Sequence, residues 1–404
     1  MRGLAYPRSL GSGGKLVVVL LYLGVYLRDA LRATVGDALP LAALALGLAL
    51  GSIYIFARLL TASGAGISRT AALALGVAVA CWVVGVANAG RAFYSSYLFA
   101  VPLAFIILHS DPRFFFRVAI AHVLLSIVIQ LWEYRAGTYL FTIVDEEGVE
   151  LSAELFAGAT GVTRTKGLFP GPLSAVAFSF WIAFFLRRSV WGALALVACA
   201  YLASGRLGMV VGSALLLWRL LSGATDRKAG AVALVIFALL TAQLILGADT
   251  AKLDFLMLAF DPTSGNNASR VFFWAAALSE YLNYPAMDML FGRFGYIKGT
   301  DIYPESDFLQ LLLDHGILGC SLYVFALARL FAIAVQRRDA EGLVVATLLV
   351  AIMNVFPLVQ SLFSSIFFWL YILLYERRWV MRGAGLNSRG RPEKVVPVKA
   401  SEST

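Results

Sequence analysis

The chain has 404 residues, 60% of them hydrophobic and only 14% charged, with a mean hydropathy of +0.81 and a formal net charge of +9. That is more apolar side chain than a soluble domain can cover with polar surface, so a soluble globular protein is excluded. Three scattered cysteines, Cys81, Cys199 and Cys320, form neither a disulfide framework nor a metal pattern.

In chain order, about twelve apolar runs approach the length of about 20 residues that crosses a hydrocarbon core as a helix. They cover roughly 15–30, 38–57, 70–89, 93–109, 114–132, 173–186, 190–204, 207–221, 229–247, 316–335, 342–358 and 361–376. Backbone polar groups in lipid must be satisfied within their own segment, which makes these runs helices. The expected fold is all-α: a polytopic membrane protein of about twelve spans, with residues 1–404 forming a single integral membrane domain. The first run lacks a small-residue cleavage site and is expected to stay as an anchor.

Charge sets the orientation. With the N-terminus inside, inner segments receive 21 of the 33 Lys and Arg residues and outer segments 11, Arg329 falling within a span. Acidic residues run the other way, 7 inside and 17 outside. The positive-inside rule therefore puts both termini in the cytoplasm, including a basic tail over 377–404. The net charge is a signal of sidedness and gives no case for nucleic acid. Anionic headgroups of the bilayer are the partner of the tail.

Two outer loops exceed a short turn. The first, 133–172, passes an acidic stretch and ends in Arg164-Thr165-Lys166-Gly167-Leu168-Phe169-Pro170-Gly171-Pro172, whose glycines and prolines present Arg164 and Lys166 at the membrane face. The second, 248–315, carries Arg270 at the start of an aromatic-rich helix that Asn267 or Ser269 would cap, and Arg293 between two glycines. A short hairpin between them, Ser204-Gly205-Arg206, holds another arginine. Arg91 falls on the same face. A single arginine at a span end snorkels to the surface; five on one face suit an anionic, lipid-carried substrate, because guanidinium groups stay charged and bind phosphate oxygens in pairs. His109 and His122 suit structural roles inside or at the end of spans, whereas His315 lies by the outer loop. Gly47-x-x-x-Gly51 suits close helix packing.

Arg164-x-x-Gly167-x-Phe169, Ser204-Gly205-Arg206, Ser269-Arg270-x-x-x-Trp274 and Glu305-Ser306, separated by nine residues from Gly316-x-x-Gly319, resemble, in their order and shared sidedness, the O-antigen ligase/polymerase superfamily. The resemblance covers most of the chain. It implies a C-type membrane glycosyltransferase located in the bacterial inner membrane, with its active site on the periplasmic face and a large extracytoplasmic helical loop. It implies no cofactor and no metal. Its donor and acceptor would be oligosaccharides linked to undecaprenyl pyrophosphate, and a chain-length regulator (co-polymerase) would be a further partner. The ligase branch places a histidine where this chain has Glu305, with His315 at a different position; that departure favours the polymerase branch over transfer to lipid A-core. In this reading Arg206 and Arg270 stabilise the departing diphosphate and Glu305 is the base for the acceptor hydroxyl, or else a cap on the following helix. Arg164, Lys166, Arg293, Arg91, Ser306 and His315 bind substrate. A lipid-linked sugar flippase or transporter is the alternative of another class, and would call for ionisable residues at mid-membrane.

Overall fold

The computed structural model describes residues 11–61, 69–89, 95–141, 164–222, 230–238, 265–293 and 304–388. All regular structure among them is helical. The helices are α1 (Gly11–Val25), α2 (Arg28–Val35), α3 (Ala38–Thr61), α4 (Arg69–Ala89), α5 (Ser96–His109), α6 (Pro112–Ala136), α7 (Pro172–Phe185), α8 (Val190–Leu202) and α9 (Arg206–Leu221). They continue, after helical residues 230–238, with α10 (Gly265–Leu282), α11 (Ala286–Phe291), α12 (Asp307–Gln336), α13 (Ala340–Val355) and α14 (Leu362–Ser388).

The described part of each expected apolar run falls on helix, though not each at full length, and residues 239–247 of the run expected over 229–247 lie outside the described residues. Among the described residues, three stretches are long and apolar enough to cross a membrane, Thr70–Ala87, Pro112–Ala136 and Asp307–Gln336, while other apolar helices are shorter. The run expected over 15–30 breaks after Val25, because Arg28, Asp29 and Arg32 begin the separate polar helix α2. At 1.5 Å per residue, α7 and α8 reach only about 20 Å, against about 30 Å of hydrocarbon. These short helices are the centre of the bundle: Phe178, Phe180, Trp181 and Phe184 of α7 and Val190 and Leu196 of α8 have no exposed surface. The long helices α4, α6 and α12 turn apolar side chains outward, among them Val79 and Val83 of α4, Leu124 and Val128 of α6, and Val324 and Phe331 of α12. Apolar side chains facing away from a packed core suit a lipid solvent. Gly47 and Gly51 bear out the packing reading, since a Cβ at either would strike Leu21 or Ile106.

α7, α8, α12 and α13 run alternately up and down, so their loops gather at two ends. At one end the Arg187 guanidinium donates to both oxygens of Asp339 at 2.6 Å, and the Tyr375 hydroxyl adds a third bond at 2.7 Å. Arg219 donates there to Glu341 at 3.0 Å and to the carbonyls of Ser189 and Ala183. Several arginines of the inner set are thus held by acids of the neighbouring helices, which fixes the bundle at that end. The other end carries the arginines of the predicted site.

Candidate functional site

A loop that plunges into the bundle builds one wall. One face of α6 carries His122, Ser126, Gln130 and Glu133, spaced three or four residues apart and all buried. Glu133 Oε2 accepts the backbone N–H groups of Lys166 and Gly167, each at 2.9 Å, and Ser126 Oγ accepts that of Leu168 at 3.1 Å. The Phe169 ring then stacks on His122 with centroids 4.7 Å apart. From Glu133 to His122 the helix descends about 16 Å, so residues 166–169 follow it inward. Irregular backbone at such depth is stable only where protein groups satisfy it, which these side chains do. The descent also explains the short α7, which begins at Pro172 below the loop's entrance.

Gly167 makes the close approach feasible. Its φ is +61°, and a Cβ there would overlap Ser126 Oγ and the Ser126 carbonyl. Gly167→Ala is expected to destabilise the folded protein by about 1–3 kcal/mol, through left-handed strain and displacement of the loop. The measurement is the thermal midpoint in detergent; an unchanged midpoint would mean that the loop does not sit against α6.

Arg164 stands where this loop enters. The Thr165 N–H donates to the Leu202 carbonyl at 3.2 Å, and Arg164 Nε reaches the Ala203 carbonyl at 3.5 Å. Both acceptors belong to the end of α8, three and four residues before Arg206. The turn between α8 and α9 is tight: Ser204 has φ +52°, Gly205 N–H donates to the Ala200 carbonyl at 2.7 Å, and Val176 leaves no space for a Cβ at Gly205. It delivers Arg206 as the first residue of α9, where the helix dipole adds positive potential.

The second wall comes from the large loop. α10 leans on the first turns of α12 through Ala277, Tyr281, Tyr284 and Leu313. The start of α12 is anchored by Asp307, fully buried, whose two oxygens accept the Val359 N–H at 3.1 and 3.0 Å. Between these supports Arg270 meets Glu305: Nε lies 2.5 Å from Glu305 Oε2, and Nη2 bonds the same oxygen. Both side chains keep about a third of their surface exposed, 32% and 31%.

Four predicted residues thus come together from four separate segments. The Arg206 guanidinium has its affinity for the proton lowered by burial and by the neighbouring Arg270 and Arg164, with Glu305 acting in the opposite sense. Arg164 is likewise lowered by burial, opposed by Tyr139 and Glu305. Guanidinium groups stay protonated under such shifts. Arg164, Arg206, Arg270 and Glu305 therefore lie within electrostatic reach of one another.

Other expected site residues lie elsewhere. Lys166 is 3% exposed, its ammonium 4.9 Å from the centre of the Tyr139 ring, and burial lowers its pKa, opposed by Glu133 and Asp29. It faces inward because its own backbone N–H is pinned by Glu133. Arg293 pairs with Asp288 at 2.8 Å and covers the Tyr284 ring at 4.4 Å, so α11 and its neighbours hold it. His315 is buried, its Nε2 2.9 Å from Ser95 Oγ and its ring edge-on to Tyr97. Gly319 leaves room for its imidazole, and Gly316, at φ +63°, kinks α12 where it crosses Leu290 and Phe291. Ser306 is the buried N-cap residue of α12 and makes no side-chain cap bond. Glu305 therefore is not the cap, and its carboxylate turns to Arg270. Asn267 and Ser269 lie within α10, already under way at Gly265, rather than at its N-cap. Arg91 lies outside the described residues.

Glu133, Ser126 and Asp307 were missed as supports of the site. A polar stripe at 122, 126, 130 and 133 in an otherwise apolar run was the available signal, since buried polar groups in a membrane helix need partners. No protein-family model matches the chain, and no curated protein matches it.

Proposed function

We propose that this chain is a membrane glycosyltransferase that polymerises oligosaccharide repeat units linked to undecaprenyl pyrophosphate. The observation that carries the reading is the convergence of Arg164, Arg206, Arg270 and Glu305 at one end of the bundle. The diphosphate of the donor binds the guanidinium groups. The acceptor sugar's hydroxyl oxygen attacks the anomeric carbon from the opposite side, and the bond from that carbon to the diphosphate oxygen breaks with inversion. The electron pair leaves on undecaprenyl pyrophosphate, whose growing charge the arginines neutralise. The hydroxyl proton passes to the Glu305 carboxylate. An apolar groove between α4 and α5, lined by Leu75, Val79, Trp82, Phe99 and Pro102, suits a polyprenyl chain.

In this reading about twelve helices cross the inner membrane, the arginine end is periplasmic, and the end held by Asp339 and Glu341 is cytoplasmic. Single cysteines at positions 251 and 388, in a background without native thiols, test the orientation. An impermeant thiol reagent applied to cells with an opened outer membrane is expected to label position 251 alone. Labelling of position 388 alone would reverse the orientation and remove the proposed site from the periplasm.

Purified protein incubated with undecaprenyl-pyrophosphate-linked repeat units is expected to give a ladder of longer products. Transfer to lipid A-core without a ladder would make the chain a ligase, and substrate movement without any new glycosidic bond would make it a flippase.

A further inference from the structure

We propose that Glu305 is the site's internal competitor for the donor anion: it occupies the gripping edge of Arg270 until a diphosphate displaces it, and a singly charged phosphodiester does not. The inference rests on the donor-binding reading above and concerns which anion the site admits.

The geometry of the pair is the first ground. Arg270 spends Nε and Nη2, one of the two-donor edges with which a guanidinium can grip a phosphate, on one oxygen of Glu305. No ligand can take that edge while the carboxylate holds it. The second ground is exchangeability. Arg270 and Glu305 are each about one-third exposed, whereas Glu133 and Asp307 are buried and committed to backbone N–H groups. The elements that carry the pair are held independently of it, α10 by its packing on Leu313 and the start of α12 by the Asp307 bonds to Val359. The two side chains can separate without loosening either element.

Charge decides which ligand succeeds. Glu305 sets one negative charge against Arg270, and Arg164 and Arg206 lie within electrostatic reach of the pair. A phosphodiester headgroup brings one negative charge, no more than Glu305 already supplies, and must shed its own water to enter. A diphosphate diester brings two, spread over oxygens that can reach more than one arginine. Abundant membrane phospholipids with single-charge headgroups are thereby kept out of a site that faces them. Displacement also turns Glu305 away from Arg270, which frees its lone pairs for the acceptor hydroxyl only once the donor is in place.

The test measures binding to the detergent-purified full chain of two small ligands without lipid tails: dimethyl pyrophosphate, capped on both phosphates, and dimethyl phosphate. Wild-type protein is expected to bind the first with a Kd at least tenfold below that of the second. In Glu305→Gln the Kd for dimethyl pyrophosphate is expected to fall about tenfold, the scale of one charge-assisted pair, and dimethyl phosphate to gain measurable binding. An unchanged or higher pyrophosphate Kd in Glu305→Gln overturns the proposal while leaving the donor site standing. Equal binding of the two ligands by wild-type protein overturns it without recourse to any variant. If dimethyl pyrophosphate binds neither protein, though both melt cooperatively, the donor-binding reading fails and the proposal with it.

Discussion

Glu305→Gln is expected to lower chain growth by about two to four orders of magnitude, the usual contribution of a positioned general base. The amide keeps the shape of the side chain and cannot take a proton at neutral pH. Donor binding should survive, so the loss should fall on turnover rather than on KM, a split that separates a base from a donor ligand. Cells carrying the variant should accumulate single repeat units. Glu305→Asp, one methylene shorter, should retain more activity than the amide despite its altered reach. Full polymer from Glu305→Gln would mean that another group takes the proton. His315 is poorly placed to do so, because it is buried against Ser95 and Tyr97 beside the Gly316 kink.

Arg206→Lys and Arg270→Lys are expected to cut transfer about a hundredfold each, while the protein still inserts and melts cooperatively. Lysine keeps the charge and loses the planar fork, so the substitution separates a phosphate ligand from an arginine that only reaches toward headgroups. The two variants should also differ. At Arg270 lysine loses the two-donor grip on Glu305 as well, so the carboxylate is held less tightly before the donor arrives. Arg206→Lys leaves that pair intact and should show the simpler defect, weaker stabilisation of the leaving diphosphate. Near-normal ladders from both variants at equal expression would refute the donor clamp.

The helices and the arginine cluster were legible in the sequence for different reasons. Apolar length alone marks a helix in lipid, so the described part of each run is helical where expected, including residues 230–238 of the run over 229–247. Arg164, Arg206, Arg270 and Glu305 were legible because each stands at a helix end or a loop entrance on one side of alternating spans, and such ends must gather. What sidedness does not show is the direction in which a side chain points. Lys166 lies two residues from Arg164, yet the pinning of its backbone by Glu133 turns it inward. Arg293 is a near neighbour in sequence to Asp288, the acid of α11, and pairs there. The Gly316-x-x-Gly319 motif, taken as the boundary of a span, is instead the crossing point of α12 over α11, with Gly319 making room for His315. The re-entry of residues 166–169 depends on three side chains of α6, Glu133, Ser126 and His122, acting together, and each looks unremarkable when taken singly.

The short central helices have a consequence for the surrounding bilayer. Because α7 and α8 are buried over most of their length, with Leu173 and Trp191 their exposed large apolar side chains, their deficit of about 10 Å relative to the hydrocarbon core is largely hidden from lipid. Much of the outward apolar surface belongs to α4, α6 and α12, whose lengths match or exceed an ordinary membrane. Reconstitution into thinner or thicker bilayers should therefore tilt the outer helices and leave the seat of the arginines undisturbed, so that turnover varies little with acyl-chain length. A protein whose short elements faced lipid would instead track membrane thickness closely.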